Sequence, residues 1–431
     1  MRLPDDAVRS LAFDGAEWQA RSLMSSAPDT ARRAKVAHIA TSDLSLRYLL
    51  KNQMLAIRRA GHQVIGISAP GPDVHALDAA GIPHVPVPLT RRVTPLTDLK
   101  ALIQLVWILR RERIDVVHTH TPKASLIGQY AALLAGVPVR VHTIHGLYFP
   151  AGISARKRRL FVLLERLTMR FSAWNFSQNP EDVPTAIEEG ICAPDRLEVL
   201  GNGIDLEAFQ PEAHTPEKRA ATRAELGLRP EHLVVGMVSR LVEEKGYREM
   251  FEAVRRVRKT IPLARYIFIG GTQHEKSDRL GDDCLEQEGI ADVAQLLGHR
   301  DDVARLYAAM DVLAHPSHRE GFPRVPMEAS AMGLPVVATE IRGNRQVVED
   351  GVTGRLVPLK DAAELSRAMI QLLSDSELRQ RLGGAARKKA KLEFDERKIF
   401  ERVVKRYDEL LATSMATDHG LTSVLRRIRR F

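Results

Sequence analysis

The chain of 431 residues, 44% hydrophobic and 27% charged, is long enough for two globular domains, and its composition excludes a disordered or fibrous protein. No apolar run reaches membrane-spanning length, the N-terminal MRLPDDAVRS lacks a basic-then-apolar leader pattern, and the two cysteines, Cys192 and Cys284, offer neither metal spacing nor a disulfide framework, so a cytoplasmic protein is expected. The net charge of +9 favours phosphorylated substrates or anionic lipid as partners, and without an aromatic-interleaved basic surface no nucleic acid is expected.

Residues 1–33 show no element pattern and are expected to be a mobile extension. From there β-branched runs alternate with helical patterns. Strands are expected at 35–40, 63–68, 84–87, 115–120, 137–144, 173–177 and 197–200, with helices between them, for example at 49–60 and 99–113. A Pro-, Ala- and charge-rich stretch at 209–230 reads as a linker. The cycle then restarts with strands at 234–238, 266–270, 293–297, 312–315 and 336–339. This order implies an α/β chain of two Rossmann-like, doubly wound parallel-sheet domains, 34–208 and 231–395, facing a ligand cleft. A helix at 396–412 is expected to cross back to the first domain, ahead of a basic tail at 413–431.

In the first domain, Ser42, Asp43 and Ser45 leave the first strand as helix caps, and Asp43 is also a candidate acceptor contact. The stripe Leu99, Leu102, Val106 and Leu109 reads as core. Thr121-Pro122-Lys123 combines a cap, a first-turn proline and a cation at a helix start, which suits phosphate. Four histidines end two strands: His118, His120, His142 and His145. No carboxylate or cysteine with ligand spacing accompanies them, so they read as hydrogen-bonded side chains, and no metal is assigned. At 154–171, Leu160, Leu164, Leu167 and Phe171 form a stripe behind Arg156, Lys157, Arg158 and Arg159. That pattern fits an anionic membrane surface and fits packing on the chain's own sheet equally well. The terminal LTSVLRRIRRF could also bind anionic lipid weakly, and is otherwise expected to lack order.

The second domain opens with a strand that delivers Arg240, followed by Lys245-Gly246 before a helix. Two cations around one strand-to-helix turn suit a diphosphate. Downstream lies HPSHREGFPRVPMEASAMGLPVVATEIRGNRQVVEDGVTGRLVP. Its helix is expected to begin at Pro326, placing Glu328 in the first turn and Gly333 just past the end, with Glu320 on the preceding loop. Unsatisfied N–H groups at the helix start suit phosphate, and two carboxylates beside them suit vicinal hydroxyls. Sugar plus phosphate points to a nucleotide sugar.

That stretch, with its two spaced glutamates, the EGFP-like turn and the closing VEDGVTGRLVP, resembles the donor-site signature of retaining glycosyltransferases of family 4, which have the GT-B fold. One departure stands out. Where many members have Gly-Gly-x-Pro-Glu, this chain reads IRGNRQVVE, keeping Gly343 and adding Arg342 and Arg345. TRRVTPL, HTHTPKASLIG and VPVRVHTIHGLYF further resemble a subgroup that builds bacterial surface polysaccharides on polyprenyl diphosphate. The resemblance spans about 35–405. It implies a donor site of Arg240, Lys245, His299, Glu320, Gly321, Phe322 and Glu328, with Glu328 on the ribose and Glu320 on the sugar. It sets His145 against the donor sugar, and makes Arg91, Arg92 and Lys123, beside Asp43, acceptor candidates. The expected reaction is a retaining transfer, UDP-linked donor favoured, onto a glycan or lipid-linked acceptor at the inner face of the cytoplasmic membrane. With no Asp-x-Asp, neither metal nor cofactor is required. A nucleotide-sugar epimerase or synthase of the same fold, or a non-catalytic nucleotide-sugar-binding subunit, are the alternatives.

Overall fold

The computed structural model describes residues 33–90, 92–147, 153–271 and 278–428, with side chains through residue 414. Arg91, the expected extension before Arg33 and the side chains of the arginine-rich tail lie outside the described residues. From Ala34 onward the chain is one compact unit carrying two parallel sheets. The first is ordered β3-β2-β1-β4-β5-β6-β7: β1 (Lys35–Ser42), β2 (Gln63–Ala69), β3 (His84–Pro86), β4 (Val116–Thr119), β5 (Val139–Ile144), β6 (Trp174–Ser177) and β7 (Leu197–Val199). The second is ordered β10-β9-β8-β11-β12-β13: β8 (Leu233–Val238), β9 (Ala264–Ile269), β10 (Ala294–Leu296), β11 (Val312–His315), β12 (Val336–Thr339) and β13 (Gly354–Val357). In each sheet the order reverses direction at the first strand, between β1 and β4 and between β8 and β11. A crevice opens there at the carboxyl ends of the strands, where such sheets bind ligands.

The strands are near-continuous apolar runs because helices cover both faces of a parallel sheet. Val36, Ala37, Ile39, Val116 and Val117 are fully buried in one sheet, as are Val235, Ile267, Leu313 and Val337 in the other. After β1, Ser42 caps the next helix through Ser45 N–H, and a π-turn at Leu46–Leu50 intervenes before α1 (Lys51–Arg59). The expected core stripe on α2 (Pro95–Arg111) needs correction: Ala101, Leu105, Ile108 and Leu109 are buried, whereas Leu99 is 54% exposed. Leu99 instead belongs to an outer row with Leu96, Ile103 and Trp107. Next, α3 (Pro122–Ala135) packs against α2 on one side and α4 (Ala155–Arg170) on the other.

The 209–230 stretch contains α6 (Pro216–Glu225), which follows α5 (Asp182–Glu188) in this numbering. Its Arg223 donates to Asp311 at 2.8 Å and to the carbonyl of Ala309 at 3.0 Å, so this segment is tied to the second sheet. After β8 come Gly246, in the left-handed region at φ 81°, and α7 (Tyr247–Thr260). Next are α8 (Arg324–Ala331) after β11 and α9 (Arg342–Val347) after β12. The long α10 (Glu396–Ile428) returns to the first domain. Its Val403, Tyr407 and Leu411 are buried with Val36, Val116 and Val141 in one core cluster, and its backbone continues as helix through Ile428, which corrects the expectation that this terminal stretch lacks order.

Candidate active site

Both domains turn strand ends toward one cavity of about 280 Å³. From the first domain it is lined by His120, His142, His145, Gly146 and Glu165, and from the second by Arg240, Lys245, Arg319, Glu320 and Gly321. Two turns meet at its wall. The His145 turn places Gly146 at φ 122°, and a Cβ there would lie 2.8 Å from the Cα of Gly321. A Cβ on Gly321 would in turn sit 1.9 Å from the carbonyl oxygen of His145. Only glycine permits this approach on both sides. Asn179 Nδ2 then donates to the carbonyl of Gly321 at 2.6 Å, and Asn202 Nδ2 to that of Phe322 at 2.7 Å. Asn202 also shapes its own turn, through its Oδ1 and Gly203 N–H at 3.0 Å.

Glu320 is the electrostatic centre. Its Oε1 lies 2.6 Å from Lys245 Nζ and 3.0 Å from His315 Nε2. Burial pushes its pKa up, but the Lys245 ammonium and His315 outweigh that, holding the carboxyl well below the usual range. It is a fixed carboxylate beside a fixed cation. Glu328 differs. Its Oε2 accepts from the Tyr307 hydroxyl at 3.0 Å, and burial lifts its pKa, with Arg324 and Tyr307 opposing. Its helix starts at Arg324 rather than Pro326, so Glu328 is the fifth helical residue and not in the first turn. Pro326 is tolerated at the third position because the first N–H groups of a helix have no intrahelical acceptor.

His145 belongs to a relay. Its Nδ1 is 3.0 Å from Gln178 Oε1, while Gln178 Nε2 donates to Asn202 at 3.3 Å. That fixes the proton on Nδ1 and leaves Nε2 to accept from His120 Nδ1 at 3.1 Å. By the same logic His120 Nε2 accepts from His38 Nδ1 at 2.9 Å. His38 Nε2 ends the chain buried and without a partner. Burial pushes the pKa of His145 down to about 4 and those of His38 and His142 to about 3. All are neutral near pH 7. The ring nitrogens of His38, His118 and His120 also lie close together, a juxtaposition the sequence did not reveal for His38. Both His118 nitrogens are engaged, by Tyr407 at 2.5 Å and Thr143 at 2.7 Å, which leaves His38 Nε2 as the unpartnered nitrogen of this cluster.

The structure thus brings His145, Arg240, Lys245, Glu320 and Gly321 together at one cavity, with Phe322 and Glu328 on the adjoining turn and helix. The other candidates are placed elsewhere. His299 is exposed, 2.9 Å from the Tyr48 hydroxyl across the domain gap. Asp43 is buried and accepts from Asp73 N–H at 2.8 Å, which pins a turn of the first domain. Lys123 is held by Asp98 at 2.5 Å and by Thr90 at 2.7 Å, and its ammonium also donates to the carbonyl of Arg92, whose side chain is exposed. Sequence reasoning missed Glu165. Burial and the charge of Asp182 push its carboxyl up to about 7. Within LLERL it reads as one polar position on a helix, with no local signal of a cavity.

Two family descriptions match the chain, "Glycosyl transferase 4-like domain" over residues 47–203, which holds β2 to β7, and "Glycosyl transferases group 1" over 218–389, which holds β8 to β13. A curated relative from Escherichia coli, "UDP-Gal:alpha-D-GlcNAc-diphosphoundecaprenol alpha-1,3-galactosyltransferase", is 30% identical over 292 residues, 67% of this chain and 74% of that protein. The chain belongs to the GT-B glycosyltransferases of family 4. The Staphylococcus aureus "Capsular polysaccharide biosynthesis glycosyltransferase CapM" is 28% identical over 89% of this chain and 99% of its own length. Among solved structures, Anabaena Alr3699/HepE in complex with UDP and glucose superposes with a TM-score of 0.73 at 23% identity, covering 89% of this chain and all of that one. That glycosyltransferase fold explains why the donor-side residues converge where two sheets present their carboxyl edges.

Proposed function

We propose that this glycosyltransferase moves a hexose from a UDP-linked donor, with retention and without metal, to a sugar carried on polyprenyl diphosphate during bacterial surface-polysaccharide synthesis. The observation that carries the reading is the Lys245–Glu320 pair facing His145 across one cavity that Arg240 also lines. Arg240 and Lys245 would neutralise the leaving diphosphate as charge builds on its oxygens in the transition state. Glu320, kept ionised, would accept from donor sugar hydroxyls, and Glu328 would hold the ribose. The neutral His145 would accept or donate at the sugar as its relay partners shift. The departing phosphate takes the acceptor proton, so no protein nucleophile is needed. The relatives' lipid-diphosphate acceptors support the acceptor class.

Mass spectrometry of products from a panel of UDP-sugars and short-chain prenyl-diphosphate sugars tests the reading. Arg240→Ala and Lys245→Ala should each lose about 2–4 kcal/mol of transition-state stabilisation, the scale of one preorganised electrostatic contact. The rate should persist in EDTA. Unchanged turnover in both variants would end the phosphate assignment, and a free sugar nucleotide as product would favour an epimerase. Among the described residues no helix is long and apolar enough to cross a membrane. Attachment to the acceptor's membrane would therefore run through the exposed apolar and basic faces of α2 and α4.

A further inference from the structure

The segment in which this chain departs from its family's pattern makes contacts that the departure explains. Arg342 and Arg345 stand on α9 of the second domain, and their partners stand on or just before α5 of the first. Arg342 Nη1 lies 2.8 Å from Asp182 Oδ1, and Arg345 Nη2 lies 2.7 Å from Glu181 Oε2. Gln346 adds a bond to Glu181 at 2.7 Å. Surface ion pairs are usually worth little. Asp182 is different, because its side chain is 1% exposed and its second oxygen accepts Leu147 N–H at 2.9 Å.

Leu147 directly follows the His145–Gly146 turn. On the other side, Gly343 packs so closely under the donor turn that a Cβ would lie 2.8 Å from the carbonyl oxygens of both Glu320 and Gly321. One short path therefore joins the two halves of the cavity: the Leu147 N–H, the Asp182 carboxylate, Arg342 and Gly343. We propose that Arg342 and Arg345 are positioning residues, a two-rung clamp that holds the His145 turn in register with the Glu320 turn and keeps the cleft closed. Burial pushes the Asp182 carboxyl up while the Leu147 and Arg342 contacts pull it back. Separating the domains would leave that carboxylate without its cation, which resists opening.

The catalytic consequence rests on the proposed transfer reaction; the closure itself does not. Glu181 is partly exposed, so Arg345→Ala should keep the wild-type melting temperature to within a few degrees, whereas Arg342→Ala and the double variant leave buried Asp182 without its cation and should melt lower, with Arg342→Lys restoring the loss. Small-angle scattering of the full chain should show the double variant more expanded than wild type at low salt. Wild type should stay compact on raising salt toward 1 M, because the buried Asp182 pair is screened far less than a surface pair. With UDP-sugar and the prenyl-diphosphate probes, kcat should fall about a hundredfold in the double variant, the scale of a 1 Å misplacement, while UDP affinity changes only severalfold. Arg342→Lys should recover part of both readouts. A double variant that scatters like wild type at both salts and keeps its kcat would overturn the clamp. If wild type transferred no sugar, the reaction assignment would fall, and the scattering would still decide the clamp.

Discussion

Glu320 and Lys245 were legible because their chemistry is written in spacing: a cation before a helix and an acid on a loop, both at strand ends of one sheet. Glu165 was not, since only the folded cleft makes its carboxyl a lining group. Its pKa near 7 carries a testable sign. Below that pH the group is neutral, and above it a negative charge enters the cavity that must hold a diphosphate. The groups facing it there are His120, His142 and His145 from the strand ends and Arg240, Glu244, Lys245, Arg319 and Glu320 opposite, with Asp182 close by. Of these, Glu320 is already ionised and His145 already neutral throughout this range. Affinity for UDP-glucose, whose diphosphate does not titrate here, should therefore weaken as pH rises from 6 to 8. Calorimetric titration of Glu165→Gln should show a flatter response. An identical pH dependence in the two proteins would remove Glu165 from the site's electrostatics.

At the level of elements, β-branched runs located the strands because parallel strands buried on both faces need continuous apolar sequence. β13 carries no strand signal of its own, since GRLV is short and follows the turn residues of VEDGVTG. The sequence sets the start of α8 two residues late, because a proline can occupy any of the first helical positions. The histidine-rich strand ends of β1, β4 and β5 carry a stability consequence. His38 and His142 have pKa values near 3 and His145 near 4, while His118 and His120 are held well below their ordinary value, all by burial first. Unfolded, each would protonate near 6.5. Between that value and the folded pKa the unfolded state binds more protons, so stability is lost as pH falls through this window. Each such histidine contributes about 1.4 kcal/mol per pH unit there. The melting temperature should drop steeply from pH 6.5 to 4.5, and His38→Asn should soften the slope. A melting temperature flat across that range would show that these rings are hydrated or already charged.

The whole molecule joins the leucine-striped, basic face that the sequence offers on α4 to an apolar row on α2 that it does not. The sequence of α2 suggested a core stripe through Leu99, and only the packing of α3 shows which side faces out. Leu96, Leu99, Ile103 and Trp107 are at least half exposed on α2, as are Leu160 and Leu163 on α4, and α3 packs against both helices. Buried Val162 and Met169 anchor α4 from behind, which leaves its leucines outward. Exposed basic residues accompany the apolar rows: Lys100, Arg110 and Arg111 on α2, and Arg156, Lys157 and Arg159 on α4. Arg111 lies over the Trp107 ring at 4.9 Å, an amphipathic pair suited to a headgroup layer. Apolar side chains with flanking cations match an anionic leaflet, where each basic residue contributes on the order of 1 kcal/mol within a Debye length. A lipid-diphosphate acceptor would be met at that surface. The protein should float with anionic vesicles at low salt, detach at high salt and ignore neutral vesicles. Trp107→Asp combined with Leu163→Asp should lower the anionic binding at least about tenfold, since each substitution removes roughly 1.5–3 kcal/mol of apolar burial. Equal flotation of that variant, or binding indifferent to lipid charge, would move the attachment elsewhere and leave this face to solvent.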